Sequence, residues 1–145
     1  MTTLSTSPAS VPSVTERTFV DMQRVGVLGE GDCLMACVAS ILGVPLESLP
    51  AITSENGDQW WSIFCGAARS HGFEVRESVD PPAGYSIAVG PSPRWDGQEN
   101  HAVVALDGVI VHDPHPSRSG VTSIIYWLEL RALDHPHERL GDDNA

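Results

Sequence analysis

Apolar residues recur at helical spacing from Leu34 to Leu42 (Leu34, Met35, Cys37, Val38, Ile41, Leu42), with Asp32 just before the run, Gly43 just after it and Pro45 beyond. An N-cap residue, a C-terminal glycine and a proline that cannot continue the helix bound one element on both sides. The run is apolar nearly all round, which predicts a central, buried helix. A second helical pattern spans about Asp58 to Ser70, with Trp60, Trp61, Phe64, Ala67 and Ala68 on one face and Gly72 after its end. The period then changes to two. Phe73–Val79, Tyr85–Val89 and Ile124–Leu130 read as strands, and His101–Ala105 with Val109–His112 as a hairpin around Asp107-Gly108. Thr18–Gln23 reads as a short strand or an extended lead, followed by a loop marked by Gly26, Gly29 and Gly31. Helices first and an antiparallel sheet second predict an α+β domain.

The hairpin decides whether its two ends can meet. A three-residue loop with Gly108 in the left-handed position pairs Ala105 with Val109 and sets His101 directly across from Asp113 on one face. A two-residue loop sends the two side chains to opposite faces. The three-residue register is therefore the expectation.

At 145 residues the chain is long enough for one domain with its own core. We expect a flexible N-terminal segment over 1–15, rich in Ser, Thr and Pro, a folded domain over 16–133 and a flexible acidic tail over 134–145. The N-terminus has neither the basic region nor the apolar run of a secretory signal. No stretch approaches the ~20 apolar residues of a membrane span. A net charge of −11, with eight arginines and no lysine, argues against nucleic acid or an anionic membrane surface as partner. Three cysteines, Cys33, Cys37 and Cys65, do not suit a disulfide framework. Free thiols in a cytoplasmic setting are expected.

The chemistry concentrates in two places. Gly31-Asp32-Cys33 sets a thiol at the mouth of the first helix, where the helix dipole favours negative charge. His101 and Asp113 stand at the two ends of one hairpin. Thiol, imidazole and carboxylate in that order describe a nucleophile, a base and a group that orients the base. N–H groups of the helix start supply an oxyanion site. Cys37 and Cys65 lie inside apolar helical runs and read as packing residues. His112 is expected to face away from the site, and His115 to lie at its rim as a structural or solvated residue. Trp60 and Trp61 read as core; Trp95 is a candidate for the groove. A zinc site from His101, His112, Asp113 and His115 with Cys33 or Cys37 is disfavoured, because His112 and Asp113 are adjacent on a strand and point apart. No metal or cofactor is expected.

These residues resemble a family. Gly31-Asp32-Cys33 leading into Ala36, Ala39-Ser40, Leu42-Gly43 and Pro45, followed by His101-Ala102-Val103-Val104 and His112-Asp113-Pro114-His115-Pro116, looks like the papain-like cysteine peptidase superfamily. The nearest likeness is to C39-peptidase-like domains and small phage and bacterial proteins of that kind, over about Gln23 to Leu130. The resemblance implies a central helix carrying the cysteine, packed on an antiparallel sheet carrying the histidine and aspartate. Cys33 then matches the nucleophile, His101 the base and Asp113 the orienter. Gln23, Asp32, Trp95 and His115 are the oxyanion and substrate-binding candidates. Gln23 lies ten residues before Cys33 rather than about six, and Leu34 stands where many relatives have glycine.

The expected activity is hydrolysis of an amide, isopeptide or thioester in a protein or peptide through a thioester acyl-enzyme, in a bacterial or phage-infected cytoplasm. Transferase and deamidase chemistry stay open. So does a catalytically weak or inactive binding module on the same fold, such as a phage-encoded inhibitor of a host protein. A peptidoglycan hydrolase would require an export route and a more basic surface.

Overall fold

The computed structural model describes residues 19–22, 32–52, 54–94 and 99–133, with the side chains of 54–56 left out. Helix α1 (Cys33–Leu42) begins after Asp32 and ends at Gly43, whose φ of 74° places it in the left-handed region. Only a residue without Cβ enters that region cheaply, so Gly43 closes the helix by donating its N–H to the Ala39 carbonyl at 2.8 Å. Every residue from Met35 to Leu42 is buried, as the all-round apolar pattern predicts. Helix α2 (Trp60–Ser70) starts two residues later than its pattern suggests, after a 3₁₀ segment at Ser54–Gln59 interrupted by a left-handed Gly57.

Five strands follow: β1 (Phe73–Ser78), β2 (Tyr85–Pro91), β3 (Asn100–Leu106), β4 (Val109–His112) and β5 (Tyr126–Ala132). They form one sheet in the order β1-β5-β2-β3-β4, with every neighbouring pair antiparallel. The described residues thus form a mixed α+β structure of two α-helices and a five-stranded antiparallel sheet. Strands β2 and β3 are interior and buried on both faces from Ser86 to Gly90 and from His101 to Ala105. This is why they read as continuous runs of small apolar residues rather than as an alternation. One face carries the main core, where Ile87, Val89, Ala102, Val104 and Leu128 meet α1 and Phe64 of α2. The other face carries a smaller cluster of Ala88, Val103, Ala105 and Trp127, with Val121 packed against it.

Of the two readings of Thr18–Gln23, residues 19–22 follow the lead rather than the strand: they are tied down as a strap, by hydrogen bonds from Val20 N to Ser40 Oγ (2.8 Å) and from Met22 N to the Pro114 carbonyl (3.1 Å). Two expectations need correction. The last strand begins at Tyr126 rather than Ile124, and Ile124 and Ile125 are exposed. The hairpin register is also different. Asp107 (φ 52°) and Gly108 (φ 83°) form a two-residue turn with both residues left-handed, so Leu106 pairs with Val109 and Ala105 with Ile110. The next pair is Val104 with His112, which leaves Val111 as the extra residue of a β-bulge. The turn alone would have sent His101 and Asp113 to opposite faces. The bulge inserts one residue and reverses that parity.

Candidate active site

The site is assembled where the start of α1 meets β3 and the segment leaving β4. Cys33 is the first residue of α1 and partly exposed. Asp32 occupies the N-cap position and its carbonyl accepts the Ala36 N–H at 2.9 Å, but its side chain does not cap the helix. Helix geometry leaves the first N–H groups of α1 without intrahelical partners, which makes them donors for a developing oxyanion.

His101 is buried at 4% exposure and Asp113 at 6%, and His101 Nε2 lies 2.7 Å from Asp113 Oδ1. Asp113 is held by more than the histidine. Its Oδ1 also accepts the His115 N–H at 2.9 Å, and its Oδ2 accepts the Gly120 N–H at 2.6 Å. Burial works against the ionised carboxyl, yet these donors together hold Asp113 down at about 2. Burial likewise opposes a charged His101. The hydrogen bond to Asp113, then the hydrogen bond and charge interaction with Cys33, outweigh it and raise the imidazole to about 9. At neutral pH the ring is therefore an imidazolium. Its Nε2–H is given to Asp113, which leaves Nδ1 as the ring nitrogen available to Cys33.

One turn further along α1, Cys37 is fully buried, and burial raises its thiol well above the ordinary range. Cys65 on α2 is half-buried and also raised by burial. Neither has an imidazole beside it among the described residues.

The remaining candidates separate. His112 stacks on Phe19 with ring centroids 4.9 Å apart and points Nε2 at the Val20 carbonyl and Asp21, so it anchors the strap. His115 sits edge-on to His101, with centroids 6.2 Å apart. Gln23 and Trp95 lie outside the described residues. Among the described residues, no group of three or more His, Cys, Asp or Glu side chains is arranged to hold a metal ion.

A cavity of about 140 Å³ opens beside Cys33 and His101. That is close to the ~150 Å³ that admits a benzene ring. Leu34, Trp60, Val89, Ala102, Tyr126 and Leu128 make its walls apolar, and Asn100 adds an amide. Trp60 thus lines the cavity, whereas Trp61 packs against the core. Sequence reasoning missed Asn100 and Tyr126. The adjacency of Asn100 to His101 was a usable signal; nothing local distinguishes Tyr126.

Two contacts that hold the site are long-range. Gly90, paired with His101 across β2 and β3, is approached so closely that a Cβ there would lie 1.7 Å from the Ser123 carbonyl oxygen. The Arg118 guanidinium pairs with Asp21 and also donates to the Asp113 carbonyl, which joins the strap to the loop after Asp113.

No protein-family model matches the chain, and no match is found among curated proteins or solved structures. Among the described residues, no helix is long and apolar enough to cross a membrane.

Proposed function

We propose that the protein is a cysteine-dependent hydrolase of the papain-like type, with Cys33 as nucleophile, His101 as general acid and base, and Asp113 as the orienting carboxylate. The observation that carries this reading is the setting of His101: Nε2 is held on a buried carboxylate, and His101 and Cys33 line the same cavity. An orienting carboxylate fixes which nitrogen faces the nucleophile, and the imidazolium offers a counter-charge for a thiolate. The order of helix-borne Cys, strand-borne His and following Asp supports the papain-like assignment and its C39-like variant.

In the proposed reaction the Cys33 sulfur attacks a carbonyl carbon, and the oxyanion is received by N–H groups at the start of α1. His101 Nδ1 gives its proton to the departing amine or thiol as the carbonyl re-forms, leaving a thioester on Cys33. Water then attacks, His101 takes its proton, and the acid and free thiol are released. The apolar cavity suits an apolar group of a peptide or protein substrate. Three free cysteines fit the proposed cytoplasmic setting of a bacterium or phage-infected cell.

The test is the pH dependence of iodoacetamide alkylation at each cysteine, read by peptide mass spectrometry, in the wild type and in His101→Ala. The expected result is rapid alkylation of Cys33 alone at neutral pH, lost in the variant. Alkylation of Cys33 no faster than Cys65, and unchanged by the variant, overturns the reading in favour of a binding module.

A further inference from the structure

Among the described residues only two besides glycines have a positive φ, Asp107 at 52° and Arg118 at 55°. Asp107 is at home there, because aspartate tolerates the left-handed region and its carboxylate accepts the Gly84 N–H across the turn. Arginine has no such local compensation, so long-range contacts of its side chain must hold Arg118 in place. Nη1 and Nη2 meet the two oxygens of Asp21 at 2.7 and 2.9 Å, a planar fork on a carboxylate, and Nη1 also donates to the Asp113 carbonyl. Asp21 Oδ1 lies 3.1 Å from His112 Nε2 as well. One carboxylate of the strap thus holds the residue before Asp113 and the residue five after it.

What hangs on Arg118 is the second backbone donor of Asp113. The His115 N–H reaches Oδ1 from two residues along, at 2.9 Å. The Gly120 N–H reaches Oδ2, at 2.6 Å, only because the chain doubles back between 115 and 120. The left-handed residue at 118, whose own N–H donates to the His115 carbonyl at 3.0 Å, makes that reversal. Without it Oδ2 loses its partner, and the carboxylate is free to turn away from His101. The strap is also bonded to α1, through Val20 N and Ser40 Oγ, so the loop is braced against the helix that carries Cys33.

We propose that Asp21 and Arg118 are positioning residues for the reacting centre. Their pair locks the 113–120 loop in the conformation that presents the Gly120 N–H to Asp113, and so aims that carboxylate at His101. Neither side chain touches the reacting atoms. The inference rests on Cys33, His101 and Asp113 as the reacting groups, but its loop half is read without any reaction at Cys33.

Two measurements test it: the pH midpoint of Cys33 alkylation by iodoacetamide, and the hydrogen-exchange protection of the Gly120 amide by NMR. Asp21→Ala and Arg118→Gln are each expected to raise the midpoint by about half a unit, a ~3-fold smaller thiolate fraction below it. Both are expected to lower Gly120 protection, while the melting temperature barely moves because the pair is exposed. Glycine takes the left-handed backbone without an anchor, so Arg118→Gly is expected to recover more than half of what Arg118→Gln loses. In that background Asp21→Ala is expected to cost less than it does alone. Arg131→Gln, an equal charge change on β5, is expected to move neither measurement. Unchanged Gly120 protection in Asp21→Ala overturns the proposal, as does a midpoint that stays put while that protection is lost. So does an Arg118→Gly variant as impaired as Arg118→Gln, or an equal shift in Arg131→Gln, since either would make charge rather than backbone conformation the cause. Alkylation of wild-type Cys33 that His101→Ala leaves unchanged counts against the reacting pair instead, and Gly120 protection then still judges the loop.

Discussion

The two halves of the site are held by different forces. Cys33 is placed by α1, whose next nine residues include eight that are buried, so the position of the proposed nucleophile follows from apolar burial. His101 and Asp113 are placed by a polar web: one short His–Asp contact, two backbone donors on the carboxylate and the Arg118 link to the strap. Burial is non-directional and carries no titrating group, whereas a web of charged hydrogen-bonding groups is directional and responds to pH and to ionic screening. The helix side should therefore behave as scaffold and the hairpin side as the adjustable element. Cys33 and Cys37 show the same contrast within one helix turn, one at the mouth beside an imidazolium and the other enclosed and inert.

The largest effect expected is on the nucleophile. Cys33→Ser should lower hydrolysis of any substrate found by about 10⁴-fold or more, with the melting temperature nearly unchanged. Cys37→Ala should do the reverse, keeping Cys33 alkylation while costing about 1 kcal/mol in urea denaturation. Activity lost equally in both variants would break the distinction between mouth and core.

Gly90→Ala comes next, since its methyl group collides with a backbone carbonyl rather than a movable side chain. We expect a loss of about 3 kcal/mol in urea melts. A milder loss would mean that the 121–125 segment shifts, and the His101-dependent alkylation of Cys33 should then suffer with it.

Asp113→Asn probes the web directly. His101 is raised from 6.5 to about 9 in the fold, so its stabilising contribution is complete below about pH 6.5 and is lost as pH climbs through 9. Asp113 is depressed from 3.8 to about 2, so its contribution holds above about pH 3.8 and disappears as pH falls through 2. The wild type should therefore lose stability between pH 6.5 and 9. Asp113→Asn should flatten that slope, cost about 2–3 kcal/mol at pH 7 and return His101 towards its ordinary range in an NMR titration. An unchanged His101 titration would refute the coupling.

The smallest effect is expected from Arg118→Gln. An exposed ion pair with Asp21 is screened by salt, so the melting temperature should barely move and high salt should erase the difference.

Much of the scaffold was legible because its signals are local. Asp32, Gly43 and Pro45 bracket α1 within a few residues of its apolar run, and Asp107-Gly108 marks its own turn. The pairing of His101 with Asp113 was expected for an incorrect local reason. Asp107 adopts a left-handed conformation and its carboxylate accepts the Gly84 N–H at 2.7 Å, which favours the two-residue turn over the bulged three-residue one. The parity was then restored at Val111, where no residue type announces a bulge. His115 was taken for a rim residue, and its backbone bond to Asp113 shows that it also helps hold the site.

By itself the sequence determined that a thiol opens a buried helix, that strands follow, and that a histidine and an aspartate bound one hairpin. Periodicity, caps and turn residues act over a few positions and can be read there. Only the tertiary structure decided which nitrogen of His101 faces Asp113, which residues line the cavity, and that Arg94 reaches Ser117, 23 residues away. Those outcomes depend on strand register, on a bulge and on the approach of Ser123 to Gly90. Such contacts arise from distant segments packing together, and no short stretch of chain encodes them.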